Sequence, residues 1–312
     1  MQRLDGGAPV PPHLAGGIVA LGNFDGFHLG HQAVVGAAVA RARSEGRPVL
    51  VATFDPHPIR HFKPDAAPFR LTTLDQRERL FAAAGVDAMV VFGFDEVLAG
   101  LSADAFVQER LLAGLRIGGV VTGEDFTFGR GRGGNVDRLR DRGRTLGFST
   151  EAVAPVQLGG ETVSSSRIRA KLVAGDMHAA TRLLTRPYAI EGVVQHGDKL
   201  GRTIGYPTAN LDMGEYLRPA YGIYAVRGRL ADGRVLDGAA NLGVRPSFDP
   251  PKELLEPHFF DFSGNLYGQP LAVELIEYLR PEAKFDSLDA LVAQMDADCA
   301  RARDILSTHK PA

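Results

Sequence analysis

The chain is constrained most tightly between Gly17 and His31. Ile18-Val-Ala-Leu21 is a short apolar run that reads as a buried parallel strand. Gly22, Gly26 and Gly30 punctuate the loop after it, and glycine there permits a sharp bend and close approach of a ligand to the backbone. From His31 onward an alanine-rich helix is expected, carrying Ala33, Val34, Ala37 and Ala38. Strand, glycine loop and helix start, in that order, present free N–H groups and partial positive charge, which suits phosphate. His28 and His31 are three apart at the helix start and face one side. Imidazole donates to phosphate oxygens and carries positive charge where a transition state builds up negative charge.

Apolar runs at 49–54, 88–92, 119–122 and 148–154 read as further strands. Helical patterns over 72–84 and after Ser102 lie between them, so the alternation implies a doubly wound parallel sheet. Residues 1–16 contain three prolines and read as a flexible lead-in. The second strand ends in Phe54-Asp-Pro-His-Pro58, whose prolines stiffen a loop and argue against a helix across 57–61. Open α/β sheets bind ligands beyond the carboxyl ends of their strands, which brings His57 near the site.

Gly129, Gly131 and Gly134 formally match G-x-G-x-x-G. That motif belongs at the first strand-to-helix turn, not in this late loop, so a dinucleotide fingerprint is rejected. The stretch 123–134 reads instead as a mobile basic lid. Arg130 and Arg132 would reach phosphates, and Phe126 and Phe128 would stack on a flat ring. In Val163-Ser-Ser-Ser-Arg-Ile-Arg169, Ser164 is a suitable N-cap, and three hydroxyls with two arginines at a helix start form a second anion site.

Thr185-Arg-Pro187 breaks the helical character of 176–184, and a boundary is placed near 186. Short alternating runs at 188–194, 222–230, 235–242, 256–262 and 271–279 imply a small antiparallel barrel, followed by an amphipathic helix over 285–303. Between the first two runs lies His196-Gly-Asp-Lys-Leu-Gly-Arg-Thr-Ile-Gly-Tyr-Pro-Thr-Ala-Asn210. It lacks the spacing of a Walker A loop. Gly197, Gly201 and Gly205 beside Lys199 and Arg202 still describe a positively charged phosphate loop, which Pro207 then fixes. Thr208 and Asn210 point the same way, and their neutral oxygens suit Mg²⁺ completed by ATP phosphates and water. Glu274, inside the apolar run Leu-Ala-Val-Glu-Leu-Ile, is a carboxylate that burial would turn into a stronger base, or an outward residue of a half-exposed strand.

A net charge of −2 gives no reason to expect nucleic acid or a membrane surface as a partner. The single Cys299 excludes an internal disulfide, and neither a secretory leader nor a membrane-length apolar run is visible. A cytoplasmic protein is expected, a monomer or weak homo-oligomer.

The motifs together resemble those of the bacterial bifunctional riboflavin kinase / FAD synthetase family. His28-Leu-Gly-His31 is similar to the H-x-G-H signature of nucleotidylyltransferases, Gly123–Gly134 to the G-x-[ND]-F-x-F-G loop, and 163–169 to [IV]-S-S-[ST]-x-I-R. Gly205-Tyr-Pro-Thr-Ala-Asn210 resembles the G-x-P-T-A-N signature of riboflavin kinases, with further likenesses at 221–226, 241–247, 261–268 and 280–285. Ser247 stands where threonine is usual and Asn265 where aspartate is common. The resemblance implies an FMN adenylyltransferase over 17–185 and a riboflavin kinase over 186–312. Riboflavin, FMN and ATP would be the substrates, with Mg²⁺, and FAD the product. It implies that ATP meets Gly22, Asn23, Phe24, Asp25, His28, His31, Ser164, Ser165, Arg167 and Arg169. Flavin would meet Phe54, Pro56, His57, Pro58, Asp125, Phe126 and Phe128. In the kinase, ATP would meet Gly197, Lys199, Gly201, Arg202, Gly205, Pro207, Thr208 and Asn210, and Glu274 would be the catalytic base. Two other classes compete: a metal-dependent hydrolase using His28, His31, His57 and His61, and a flavin-binding regulator without turnover.

Overall fold

The computed structural model describes residues 1–196, 205–245 and 252–309. The chain forms two compact units, Met1–Ala67 with Thr72–Ser165, and Pro68–Leu71 with Ser166–Ala312.

In the first unit the apolar runs become strands because both of their faces are covered. The elements are β1 (Gln2–Asp5), β2 (Ile18–Leu21), α1 (Leu29–Glu45), β3 (Val49–Asp55), α2 (Pro58–Phe62), α3 (Leu74–Ala83), β4 (Ala88–Gly93) and α4 (Glu96–Gly100). Next come α5 (Ala103–Ala105), which runs on as π-helical turns over Phe106–Gly114, then β5 (Gly119–Gly123), α6 (Val136–Leu146) and β6 (Ser149–Val153). A small hairpin of β7 (Gln157–Leu158) and β8 (Glu161–Thr162) closes the unit. The sheet is parallel in the order β1-β4-β3-β2-β5-β6. Alternate strand residues feed two cores. Ile18, Ala20, Val49 and Val51 pack with Val35, Ala38 and Phe81 of α1 and α3. Val19, Leu21, Leu50 and Ala52 pack with Val107, Leu111 and Leu139 on the other face. Each fully buried side chain of this size contributes about 1.5–3 kcal/mol.

Residues 1–16 are not the flexible lead-in expected. Gln2–Asp5 pairs in parallel with Ala88–Val91, and Val10 and Leu14 are buried. The strand is short, polar and at the sheet edge, so it carries no hydrophobic pattern. The expectation against helix after Phe54 is also corrected. Pro58 occupies the first helical position, where its missing N–H costs nothing, and the His57 ring caps the turn.

The second unit holds α7 (Ser165–Val173, whose first residue belongs to the first unit) and α8 (Met177–Leu184). Six strands come next: β9 (Tyr188–Val193), β10 (Leu211–Asp212), β11 (Gly222–Leu230), β12 (Val235–Arg245), β13 (Lys252–Phe259) and β14 (Pro270–Arg280). All pairs are antiparallel, in the order β10-β13-β12-β11-β14-β9. A bridge between Gln195 and Asn210 brings the ends of that order together, so the barrel is nearly closed. Helix α9 (Leu288–Thr308) lays Ala302 and Leu306 on Ala225, Ile276 and Leu279. The segment Pro68–Leu71 is part of this unit. The Arg70 N–H donates to the Glu215 carbonyl, the Leu217 N–H donates to the Arg70 carbonyl, and Arg169 Nε donates to the Phe69 carbonyl at 2.8 Å.

Candidate active sites

In the first unit the strand order reverses between β2 and β5. The chain leaves β2 toward β3 and leaves β5 toward β6 on the opposite side. Such a switch point opens a crevice beyond the carboxyl ends of the strands. The 22–28 loop leaves β2 there, the 123–134 loop leaves β5, and Phe54–Pro58 leaves the adjacent β3.

The 22–28 loop is held by its own polar groups. Asp25 is buried, and one carboxylate oxygen accepts from the Thr72 N–H at 3.0 Å and the Thr72 hydroxyl at 3.2 Å. The Gly26 N–H donates to Thr72 Oγ1 at 2.9 Å. Asp25 therefore builds the loop. The Ser165 hydroxyl donates to the Asp25 carbonyl at 2.9 Å, which brings Ser164 and Ser165 to the loop. His28 caps α1, its Nδ1 accepting from the His31 N–H at 3.4 Å. A neutral His28 then carries its proton on Nε2. The two imidazoles stack at 3.6 Å and 18°. Phe24 meets the His31 ring edge-on at 5.3 Å. Gly30 leaves room here, since a Cβ there would lie 3.2 Å from the His28 ring, a tight contact. The side-chain oxygen of Asn23 is buried with no hydrogen-bond partner among the described residues, as an atom awaiting a ligand would be.

The aromatic residues divide. Phe54 is buried among Phe92, Phe94 and Phe106, and Phe128 is buried against Phe106. These two build the wall, while half-buried Phe126 stacks on Phe128 at 5.9 Å and Asp125 is exposed. The expected lid is pinned at its base. Phe128 and Gly134 exchange backbone hydrogen bonds, and the Arg130 N–H donates to the Leu101 carbonyl at 2.7 Å. Arg130 and Arg132 are exposed on it. Arg167 and Arg169 fall in the second unit, where the Arg169 guanidinium also lies over the Phe69 ring at 5.3 Å.

In the second unit, Gly197, Lys199, Gly201, Arg202 and Ser247 lie outside the described residues. Gly205 has φ +88, a left-handed conformation that favours glycine. The Ala209 N–H donates to the Pro257 carbonyl, and Leu211 pairs with Leu255, so Asn210 lies opposite Glu256 on β13. Glu256 in turn pairs with Asn241 on β12. Directly opposite residues share a face, so Asn210, Glu256 and Asn241 form a row across three strands, with Thr208 two residues along. Asn241 donates to Glu282 at 3.2 Å, and its side-chain oxygen is buried without a hydrogen-bond partner among the described residues. A cleft of about 530 Å³ opens beside Pro207 and Thr208, lined also by Phe259, Asn265 and Tyr267. The Tyr267 ring lies against His196, tilted by 30° with centroids 3.9 Å apart.

Glu274 is not brought to this row. It pairs with Ala189 on β9, whereas Asn210 bridges Gln195. Six residues of strand separate the two levels, roughly 20 Å. Leu271, Val273 and Leu275 take the buried face, so Glu274 takes the other, where Arg229 Nε donates to it at 2.6 Å. The carboxylate that sequence reasoning misses is Glu256. Its signal is the Leu-Leu-Glu-Pro-His alternation, which a strand beginning at 252 rather than 256 makes visible.

A family model described as FAD synthetase matches residues 10–167, and one described as riboflavin kinase matches residues 184–306. The bifunctional riboflavin kinase/FMN adenylyltransferase of Escherichia coli strain K12 is 38% identical over 297 residues, covering 95% of each chain. The chain belongs to the bifunctional riboflavin kinase/FMN adenylyltransferase family. Another member of the family, from Pseudomonas fluorescens, is 40% identical over 304 residues, covering 97% of each chain. A crystal structure described as a macrolide-efflux protein from Streptococcus pneumoniae is 30% identical, with a TM-score of 0.87 over 97% of this chain and 99% of that one. Among the described residues, no helix is long and apolar enough to cross a membrane. Among the same residues, no group of three or more His, Cys, Asp or Glu side chains is placed to hold a metal ion.

Proposed function

We propose that the first unit carries the adenylyl transfer of this bifunctional enzyme and the second unit the phosphoryl transfer. The observation that carries this reading is the row Asn210–Glu256–Asn241 in one unit and the stacked His28–His31 pair at a switch-point crevice in the other. In the kinase, Glu256 takes the proton of the riboflavin 5′-hydroxyl as its oxygen attacks the γ-phosphorus of ATP, and ADP leaves. The side-chain oxygens of Thr208 and Asn210 match the hard oxygen donors that Mg²⁺ takes. Mg²⁺ bound there would neutralise phosphate charge. The phosphate loop of residues 197–204 and Gly205 would hold the nucleotide.

In the adenylyltransferase the FMN phosphate attacks the α-phosphorus of ATP, and pyrophosphate leaves. No protein nucleophile is required. The Nε2 proton of His28, the His31 ring, the Asn23 side chain and the Ser164–Ser165 hydroxyls bind the phosphates and the charge that develops on them. On motif alone, Arg167 and Arg169 would add phosphate contacts. Pro56, His57, Pro58, Asp125 and Phe126 would meet the flavin, with Phe54 and Phe128 behind them. The enzyme is proposed to work in the cytoplasm.

The test is a time course of purified protein with riboflavin, ATP and Mg²⁺, the flavins being separated by chromatography. FMN rising first and FAD following is the expected result. If riboflavin persists while added FMN becomes FAD, the kinase assignment fails. If neither product forms, a flavin-binding regulator takes its place.

A further inference from the structure

Arg77 lies in the middle of an apolar helix face. Leu74, Arg77 and Phe81 recur at helical spacing on α3, and Arg77 is only 3% exposed. A buried guanidinium is costly unless its surroundings use it. Here Nη1 donates to the Asn23 carbonyl at 3.1 Å and to Thr53 Oγ1 at 3.0 Å. The Thr53 hydroxyl donates to the same Asn23 carbonyl at 2.9 Å. Two donors on one carbonyl use both of its lone pairs and fix its direction. The loop needs that hold, because Phe24 and Phe27 take left-handed backbone conformations at φ 51 and 41, which side chains adopt only where the surroundings enforce them. Arg77 Nη2 also lies 3.9 Å from an Asp55 carboxylate oxygen, at the residue before Pro56.

One side chain thus grips the loop after β2 and the end of β3. On the proposed function, the first meets ATP and the second meets flavin. We propose that Arg77 is a positioning residue that sets the spacing between the two substrates of adenylyl transfer, without touching either. A misplacement of about 1 Å in such a pair costs on the order of a hundredfold in rate. The proposal rests on the assignment of this crevice to FAD formation. The riboflavin kinase activity of the same chain is an internal control.

The experiment measures FMN-to-FAD and riboflavin-to-FMN kinetics for Arg77→Met, Arg77→Lys and Thr53→Val. Arg77→Met should lower kcat for FAD formation about a hundredfold, with KM for ATP and FMN within about threefold and kinase kinetics unchanged. Lysine keeps the charge but lacks the planar fork, and should recover only part of the rate. Thr53→Val removes one donor to the Asn23 carbonyl and keeps the strand, and should lower kcat about tenfold on the same pattern. If Arg77→Met does not fold, Thr53→Val decides alone. A folded Arg77→Met, or a Thr53→Val, with kcat unchanged and only the melting temperature lowered would overturn the proposal. If the wild-type chain makes no FAD at all, it is the crevice assignment that fails.

Discussion

On the proposed function, the two units solve the same problem, seating a nucleotide, with opposite materials. The first unit buries its polar side chains: Asp25, His28 and Arg77 are each at most 5% exposed, with Asp25 bonded to Thr72, His28 to the His31 N–H, and Arg77 to Thr53 and the Asn23 carbonyl. The second unit sets its polar groups as an across-strand row on a barrel, where the ladder itself fixes their spacing. A loop held by side chains is sensitive to what lies beneath it. A row held by a ladder is sensitive to which strand residue faces which way.

Substitutions sharpen that contrast. The largest effect is expected from Glu256→Gln, which should slow FMN formation by about 10²–10⁴-fold while added FMN is still converted to FAD. Glu274→Gln should leave FMN formation within about threefold, because its register places it away from Asn210. The reverse result would restore Glu274 as the base and break the row argument. Next is His28→Ala, expected to cut FAD formation by about 10²–10³-fold and stop the pathway at FMN in a chromatographic time course.

A smaller effect, on stability, is expected at Gly129. Its φ is +73, and a Cβ there would lie 2.7 Å from the Ala103 nitrogen. Gly129→Ala should cost about 1–3 kcal/mol in denaturant unfolding of the first unit, with FAD formation affected more than FMN formation. The smallest is Asp176→Ala at the start of α8. The Ala179 N–H, and after it Lys171, hold the Asp176 carboxyl below its ordinary value of 3.8. A depressed folded-state pKa gives stability that is present above about 3.8 and lost as pH falls below it. Removal of the cap should cost about 1 kcal/mol at neutral pH. The difference from wild type should shrink in acid, with both activities retained.

Legibility in the sequence tracks burial. Strands β2 to β5 are covered on both faces and announce themselves as apolar runs, whereas edge strand β6 is only partly buried. Edge strand β1 and the two-residue β10 bury little and leave no pattern. The G-N-F-D-G-F-H-L-G-H and G-Y-P-T-A-N stretches are legible because their chemistry sits in consecutive residues. Glu256 is not, since its role depends on cross-strand register, which local spacing does not encode. Phe128 reads as a ring-stacking surface and Phe54 as a flavin neighbour, yet both are buried in the wall. An aromatic looks the same in a sequence whether it forms the wall of a crevice or lines it. Arg77 escapes a search for motifs although it interrupts an apolar stripe, and such an interruption is itself a signal.

The course of the backbone at Pro68–Leu71 has a consequence for taking the enzyme apart. The chain leaves the first unit at Ala67, supplies four residues to the second, and returns at Thr72, which clasps Asp25. The two catalysts are therefore not beads on a string. A fragment that ends near residue 185 keeps Arg70 but loses Glu215 and Leu217, so it carries a scrap of kinase with nothing to pair it. That scrap joins directly to the residue that clasps the adenylylation loop. Dissection into halves by one cut would thus leave the first half with an unpaired segment of the second.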